Sequence, residues 1–373
     1  MADFTELPDL ASRLLGGSVV DANDEFFAAR DNLVNTGPPT FTPQTFGAKG
    51  QVYDGWETRR RREPGYDHAV VRLGAPGIIS GVVVDTAFFT GNFPPFVSVQ
   101  ACGLEGYPGP EELTAADWIP IVPRSAVRGD TVNSFPVRDP HRFTHVRLVL
   151  HPDGGVARLR VHGSVVPDPR LFPDGHVDLA AAEYGGQVTD ASNRFYGSPQ
   201  QLVAPGLARV MGEGWETARR RDGGNDWVRV RLVAPGRVRL VELDTSHFKG
   251  NAPAAASLRG VDTRVSDPTD ERAWFDLLPR VPLQPDTRHR FPLTDAGTAT
   301  EVRLDIFPDG GMARLRLPGR VAPDDLVALR RHWWESLPPA QRRQVDSFAG
   351  PGGRPGRSPE TPWRGSLPPA GPA

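Results

Sequence analysis

The chain contains itself twice. DGWETRRRR at 54–62 returns as EGWETARRR at 213–221, and VVVDTAFFTGNFP at 82–94 returns as VELDTSHFKGNAP at 241–253, each 159 residues later. HVRLVLHPDGGVARLRVHG at 145–163 returns as EVRLDIFPDGGMARLRLPG at 301–319, 156 residues later. Upstream, Gly16-Gly17, Asp21 and Phe26 return as Gly185-Gly186, Asp190 and Phe195. The order is kept, and the offsets drift only as loop insertions would make them. The sequence therefore reads as two homologous domains, 15–166 and 182–321, joined by VPDPRLFPDGHVDLA. Any fold proposed for it must be one that each copy can complete with its own core.

Each copy has strand character. His68–Leu73 and Asp226–Leu232 alternate apolar with polar residues, and Ile78–Asp85 and Val238–Asp244 are runs rich in β-branched residues that follow a Gly/Pro turn signal. The segment 145–161 reads as a hairpin around Pro152-Asp153-Gly154-Gly155. On that reading Arg158, Arg160, Arg314 and Arg316 share a solvated sheet face. Gly and Pro number 40 and 39 in 373 residues, which disfavours long helices. The expected class is all-β: two tandem β-sandwich, jelly-roll-like domains. Leu326–Phe348 reads as two short helices broken by Pro-Pro within a helical extension, 322–348, and the tail 349–373 reads as disordered.

Composition removes several function classes. Forty-three basic against 45 acidic residues give −2, so no basic field points to nucleic acid or membrane. Cys102 stands alone, which excludes an intrachain disulfide framework and a Cys-rich zinc site. No apolar run reaches membrane-spanning length, and the N-terminus lacks a signal peptide's basic start, so a cytoplasmic location is expected. Dinucleotide, Walker A, His-Glu-x-x-His and Gly-x-Ser-x-Gly motifs are absent.

Three constellations persist in both copies while their surroundings change. The first is Gly-Trp-Glu-Thr followed by arginines: Trp56, Glu57 and Arg59 in one copy, Trp215, Glu216, Arg219 and Arg220 in the other. Clustered guanidinium groups suit a carboxylate ligand, which they hold bidentately. The second is Asp-Thr-x-x-Phe-x-Gly-Asn: Asp85, Thr86 and Asn92, then Asp244, Thr245 and Asn251. It places an acid and an amide where a rigid strand ends in a loop; an Asx turn would need the same Asp for shape alone. The third is the Pro-Asp-Gly-Gly turn. Only the second copy adds titratable groups to the Asp-Thr loop, His247 and Lys249. Of 43 basic residues only Lys49 and Lys249 are lysine, so neutral-pH proton transfer is expected in the second copy.

The doubled GWET-Arg and DTxxFxGN motifs, each closed by a PDGG segment, resemble the allantoicase (allantoate amidinohydrolase) family over about 15–321. That resemblance implies a C–N hydrolase that converts allantoate to ureidoglycolate and urea in purine degradation, on two jelly-roll-like domains. Asked whether they suit that reaction, the residues divide into catalytic candidates His247, Lys249, Asp244 and Glu216, and substrate-binding candidates Trp215, Arg219, Arg220, Thr245, Asn251, Trp56, Glu57, Arg59, Asp85, Thr86 and Asn92. The expected partner is a small molecule, without nucleic acid or membrane, and the apolar His332-Trp333-Trp334 segment leaves homo-oligomerisation open. No cofactor is certain; oxygen and His ligands for a divalent metal exist, with nothing to fix their geometry. The competing readings are a carbohydrate-binding pair of jelly rolls that stacks sugars on Trp56 and Trp215, and a hydrolase that acts on ureidoglycolate.

Overall fold

The computed structural model describes residues 3–294 and 296–348. The tail expected to be disordered, 349–373, lies outside them. By contacts the described residues divide into two units, one from 3–167 with 332–348, the other from 168–331.

The first unit is a sandwich of antiparallel strands: β1 Ser18–Ala22, β2 Asp67–Asp85, β3 Phe96–Cys102, β4 Ile119–Ala126, β5 Val132–Pro136, β6 Arg142–His151 and β7 Arg158–Val165. One strand organises it. The two sequence runs at 68–73 and 78–85 fuse into the 19-residue β2. Its first half pairs with β1 and β6, and its second half pairs with β5 and β7. The register shifts between Arg72 and Gly77, at the Gly-Ala-Pro-Gly segment. From β6 the sheet continues through β3 to β4. Val71, Val84, Val99, Phe143, Leu148 and Leu159 are fully buried between the layers. Each comes from an alternating or β-branched run, so the period-2 pattern places the core.

The second unit repeats this plan with β8 Gln187–Ala191, β9 Asp226–Val238, β10 Leu240–Asp244, β11 Ala255–Val261, β12 Phe275–Pro282, β13 Arg288–Pro292, β14 Ala299–Phe307, β15 Arg314–Arg316 and β16 Pro318–Val321. Here the organising strand is broken at Arg239: β9 pairs with β8, β14 and β16, while β10 pairs with β13 and β15. Val230, Leu243, Leu258, Leu304 and Leu315 fill its core.

Two expectations need correction. The segment 145–161 is not a hairpin: β6 and β7 both pair with β2, on different halves of it, so Pro152–Gly155 crosses between layers. Arg158 and Arg314 do not face solvent; both are about 2 % exposed. Arg158 donates to the carbonyls of Gly37 and Asp54 and to the Asp54 carboxylate at 2.7 Å. Arg314 donates to the carbonyls of Gly206, Glu213 and Ala313.

After β16 come two helices, α2 Pro323–Ser336 and α3 Pro339–Phe348 (α1 is a single turn at Pro110–Thr114). Trp333, Leu337 and Val345 form a small apolar cluster with Val166. Among the described residues no helix is long and apolar enough to cross a membrane.

Candidate functional site

In each unit the three repeated motifs clasp one another at one end of the sandwich. Phe89, from Asp-Thr-x-x-Phe, lies under two glycines. A Cβ on Gly155 would sit 2.1 Å from its ring and one on Gly55 2.8 Å, so both positions require glycine for the close approach. Phe248 repeats this under Gly311 and Gly214. Gly155 N–H donates to Asn92 O, and the Asp153 carboxylate accepts from Arg61 N–H at 2.8 Å; Gly311–Asn251 and Asp309–Arg220 are the same bonds in the second unit.

Much of what the motifs hold constant is therefore architecture. Trp56 and Trp215 are fully buried, and their indole N–H groups donate to Asp24 O and Asn193 O. Neither ring has a face open to a ligand, which removes the geometric basis for sugar stacking. Thr86 and Thr245 are fully buried, and each hydroxyl ties two loop carbonyls. The Asp85 and Asp244 carboxylates accept from the N–H two residues on, Ala87 and Ser246, which is the Asx-turn geometry.

His247 and Lys249 sit on the same loop. His247 has φ +73°, its N–H donates to Asp286, and its Nε2 lies 3.0 Å from Ala208 O. Phe88 in the first unit has φ +67° and the equivalent bond to Asp130, so the left-handed backbone belongs to the loop in both copies. Lys249 is 80 % exposed and 4.0 Å from Asp286.

What faces outward is a different subset. Asn92 Nδ2 donates to Glu57 Oε1 at 2.6 Å, and Asn251 Nδ2 to Glu216 Oε1 at 2.6 Å. The pair joins the first two motifs across the cleft rim. In the first unit a cavity of about 390 Å³ opens here, lined by Glu57, Thr58, Arg60, Asn92, Asp153 and the rings of Phe27 and Phe93 among others. Burial raises the Glu57 carboxyl above the ordinary glutamate range, and the Asn92 amide opposes that rise by stabilising the anion. The carboxyl is thus placed to exchange a proton nearer neutrality than a surface glutamate does.

The arginines are distributed unevenly. Arg59 pairs with Asp24 at 2.6 Å; Arg61 and Arg220 pair with the buried Asp67 and Asp226 at 2.7 and 2.9 Å. Arg60 and its counterpart Arg219 are exposed, and no hydrogen bond or ion pair to a described residue engages their guanidinium groups. Sequence reasoning counted Arg60 in the arginine cluster but chose Arg59 from it as the substrate-binding candidate, and it passed over the cleft wall Phe27. The wall had a faint signal: Phe26-Phe27 returns as Phe195-Tyr196, both pairs exposed and edge-to-face. Among the described residues no group of three or more His, Cys, Asp or Glu is placed to hold a metal ion.

Comparison with known proteins agrees with the doubling. The family model described as the allantoicase repeat matches residues 8–166 and again 177–322. The chain is 61 % identical over 321 residues to a probable allantoicase of Nocardia farcinica, covering 85 % of this chain and 95 % of that one. It is 50 % identical to a probable allantoicase of Streptomyces coelicolor, covering 87 % and 89 %. The crystal structure of allantoicase from Saccharomyces cerevisiae superposes with TM-score 0.72 at 34 % identity, over 84 % of this chain and 93 % of that one. With its repeat matched twice and relatives aligned over nearly their full length, the chain belongs to the allantoicase family.

Proposed function

We propose that the protein hydrolyses allantoate to ureidoglycolate and urea, and that Glu57 with Asn92, and Glu216 with Asn251, handle the proton. The reaction breaks one bond between the central carbon and a ureido nitrogen. The oxygen of water ends on that carbon, and a proton ends on the departing urea nitrogen. One carboxyl can serve both halves, as base toward water and as acid toward the leaving group. Its raised proton affinity, from burial at Glu57, suits that exchange. Asn92 fixes one carboxyl oxygen and leaves the other for the reacting atoms. Arg60 and Arg219, both exposed, supply the positive charge that a substrate carboxylate needs.

The observation that carries this reading is the Glu–Asn pair, present in both units and in the first lining one cleft with the exposed Arg60, in a chain whose relatives are named probable allantoicases. It is tested by urea release from allantoate. The expected outcome is one urea per ureidoglycolate, and a fall of roughly 10²–10⁴-fold in kcat/KM when Glu57→Gln and Glu216→Gln are combined. His247→Ala and Lys249→Ala, on the loop described above, retain turnover on this account. Release of urea from ureidoglycolate but not from allantoate would move the reading to the smaller ureide.

A further inference from the structure

The two repeats supply an internal control for the arginine cluster. In the second unit Arg220 uses its whole guanidinium. Nη1 donates to the buried Asp226, while Nε and Nη2 form a two-pronged bond to the Asp222 carboxylate at 2.9 and 2.8 Å. Gly224 N–H donates to that same carboxylate at 3.0 Å. The segment Asp222-Gly223-Gly224 therefore shows how a carboxylate docks on this edge.

The first unit keeps the arginine and changes the carboxylate. Arg61 again holds a buried partner through Nη1, here Asp67 at 2.7 Å, and its guanidinium lies over Gly65 as that of Arg220 lies over Gly224. The position of Asp222 is taken by Glu63, and Pro64 replaces Gly223. Glu63 makes no hydrogen bond or ion pair with Arg61 among the described residues. Arg61 Nε is buried and makes no hydrogen bond, a cost that a native structure carries for a reason. The same arginine lines a cavity of about 540 Å³ with Arg59, Arg60, Arg62, Glu63 and Asp67. Arg60 lines both this cavity and the Glu57–Asn92 cleft.

We propose that the Nε/Nη2 edge of Arg61 is a carboxylate-binding subsite in the first repeat, whose counterpart in the second repeat is filled by the chain's own Asp222. A carboxylate on that edge repeats the bidentate geometry of Asp222 on Arg220, and Arg60 links it to the cleft where Glu57 sits. The first repeat is then the tighter binder of a ureido acid, although the second carries His247 and Lys249. The inference rests on the proposed function only for the identity of the ligand; the subsite itself rests on the comparison of repeats.

The test uses the full chain and N-carbamoylglycine, which carries a carboxylate and one ureido arm but no second arm to expel. Its binding is measured by calorimetry for wild type, for Glu63→Asp with Pro64→Gly (the residues the second repeat already carries), for Arg61→Lys and for Asp222→Ser. Lysine keeps the charge opposite Asp67 but loses the fork. The expected result is one equivalent bound by wild type, at least tenfold weaker binding in the first two variants, and a second equivalent in Asp222→Ser. No binding to wild type, or affinity and stoichiometry unchanged across all three variants, overturns the subsite even if the enzyme releases urea from allantoate. Weakened binding in the swap variant supports it even if no urea is released.

Discussion

The two repeats agree in most of what they bury and differ most in what they show to solvent. The agreement is close: the indole N–H bond, the Phe under two glycines, the Glu–Asn pair at 2.6 Å and the Arg held by a buried Asp all occur twice. The differences come in matched sets. Asp24 and Arg59 form an ion pair in the first unit; Asn193 and Ala218 replace both partners in the second, where the Asn side chain still accepts from Phe195 and Ala218 N–H. Phe93 packs beside Gly129 in the first unit, and Ala252 and Pro285 take those positions in the second. Shape is kept while chemistry drifts. That drift separates groups that build the sandwich from groups free to specialise.

The largest effects should be equal in the two units. Trp56→Ala and Trp215→Ala each remove a fully buried ring and its N–H bond, and each is expected to cost about 3–5 kcal/mol of unfolding free energy. Denaturant unfolding checks this, and a Trp that costs little in one unit breaks the equivalence.

A smaller effect should be unequal. His145 is buried in the first unit, its Nδ1 2.8 Å from Thr144 Oγ1, and burial with Arg72 nearby lowers it to about 4. The unfolded state takes up that proton first, near 6.5, so stability is full above that pH and falls as pH drops toward 4. The expected loss is roughly 2 kcal/mol between pH 6.5 and 5, and His145→Gln should abolish it if the variant folds. The counterpart in the second unit is Glu301, whose carboxyl burial raises. Its folded form holds a proton more readily than its unfolded form, so acid works in the opposite sense there. Stability measured against pH for wild type and His145→Gln sharpens the contrast.

The smallest effect concerns the surface pair. Asp24→Asn with Arg59→Ala copies the second repeat into the first, and should change stability by less than about 1 kcal/mol, because Arg59 is 65 % exposed and salt screens the pair. A larger loss would show that this ion pair shapes the loop rather than decorating it.

How much of this was legible in the sequence follows from the same division. The doubling, the all-β class and the motif positions were readable because they rest on period-2 patterning and on turn residues. The false hairpin at 145–161 arose because alternation shows that a strand exists, not which strand it pairs with, and both arms pair with β2. Arg158 looked outward because it alternates correctly; its cover is the patternless segment around Gly37–Asp54, whose carbonyls it binds. The Glu–Asn pair joins residues 35 positions apart, so its members could be named but their meeting could not. Arg61 and Arg220 look alike in sequence, and only the geometry shows one fork occupied by Asp222.

The central claim is that a Glu–Asn cleft performs the hydrolysis, chiefly in the first repeat. It is tested most directly by initial rates of urea release from allantoate for wild type, Glu57→Gln and Glu216→Gln, each checked for native unfolding. A larger loss is expected for Glu57→Gln than for Glu216→Gln, and the full fall of roughly 10²–10⁴-fold at low substrate only when the two are combined. Near-normal turnover by folded Glu57→Gln together with collapse in Glu216→Gln would contradict it and return catalysis to the second repeat.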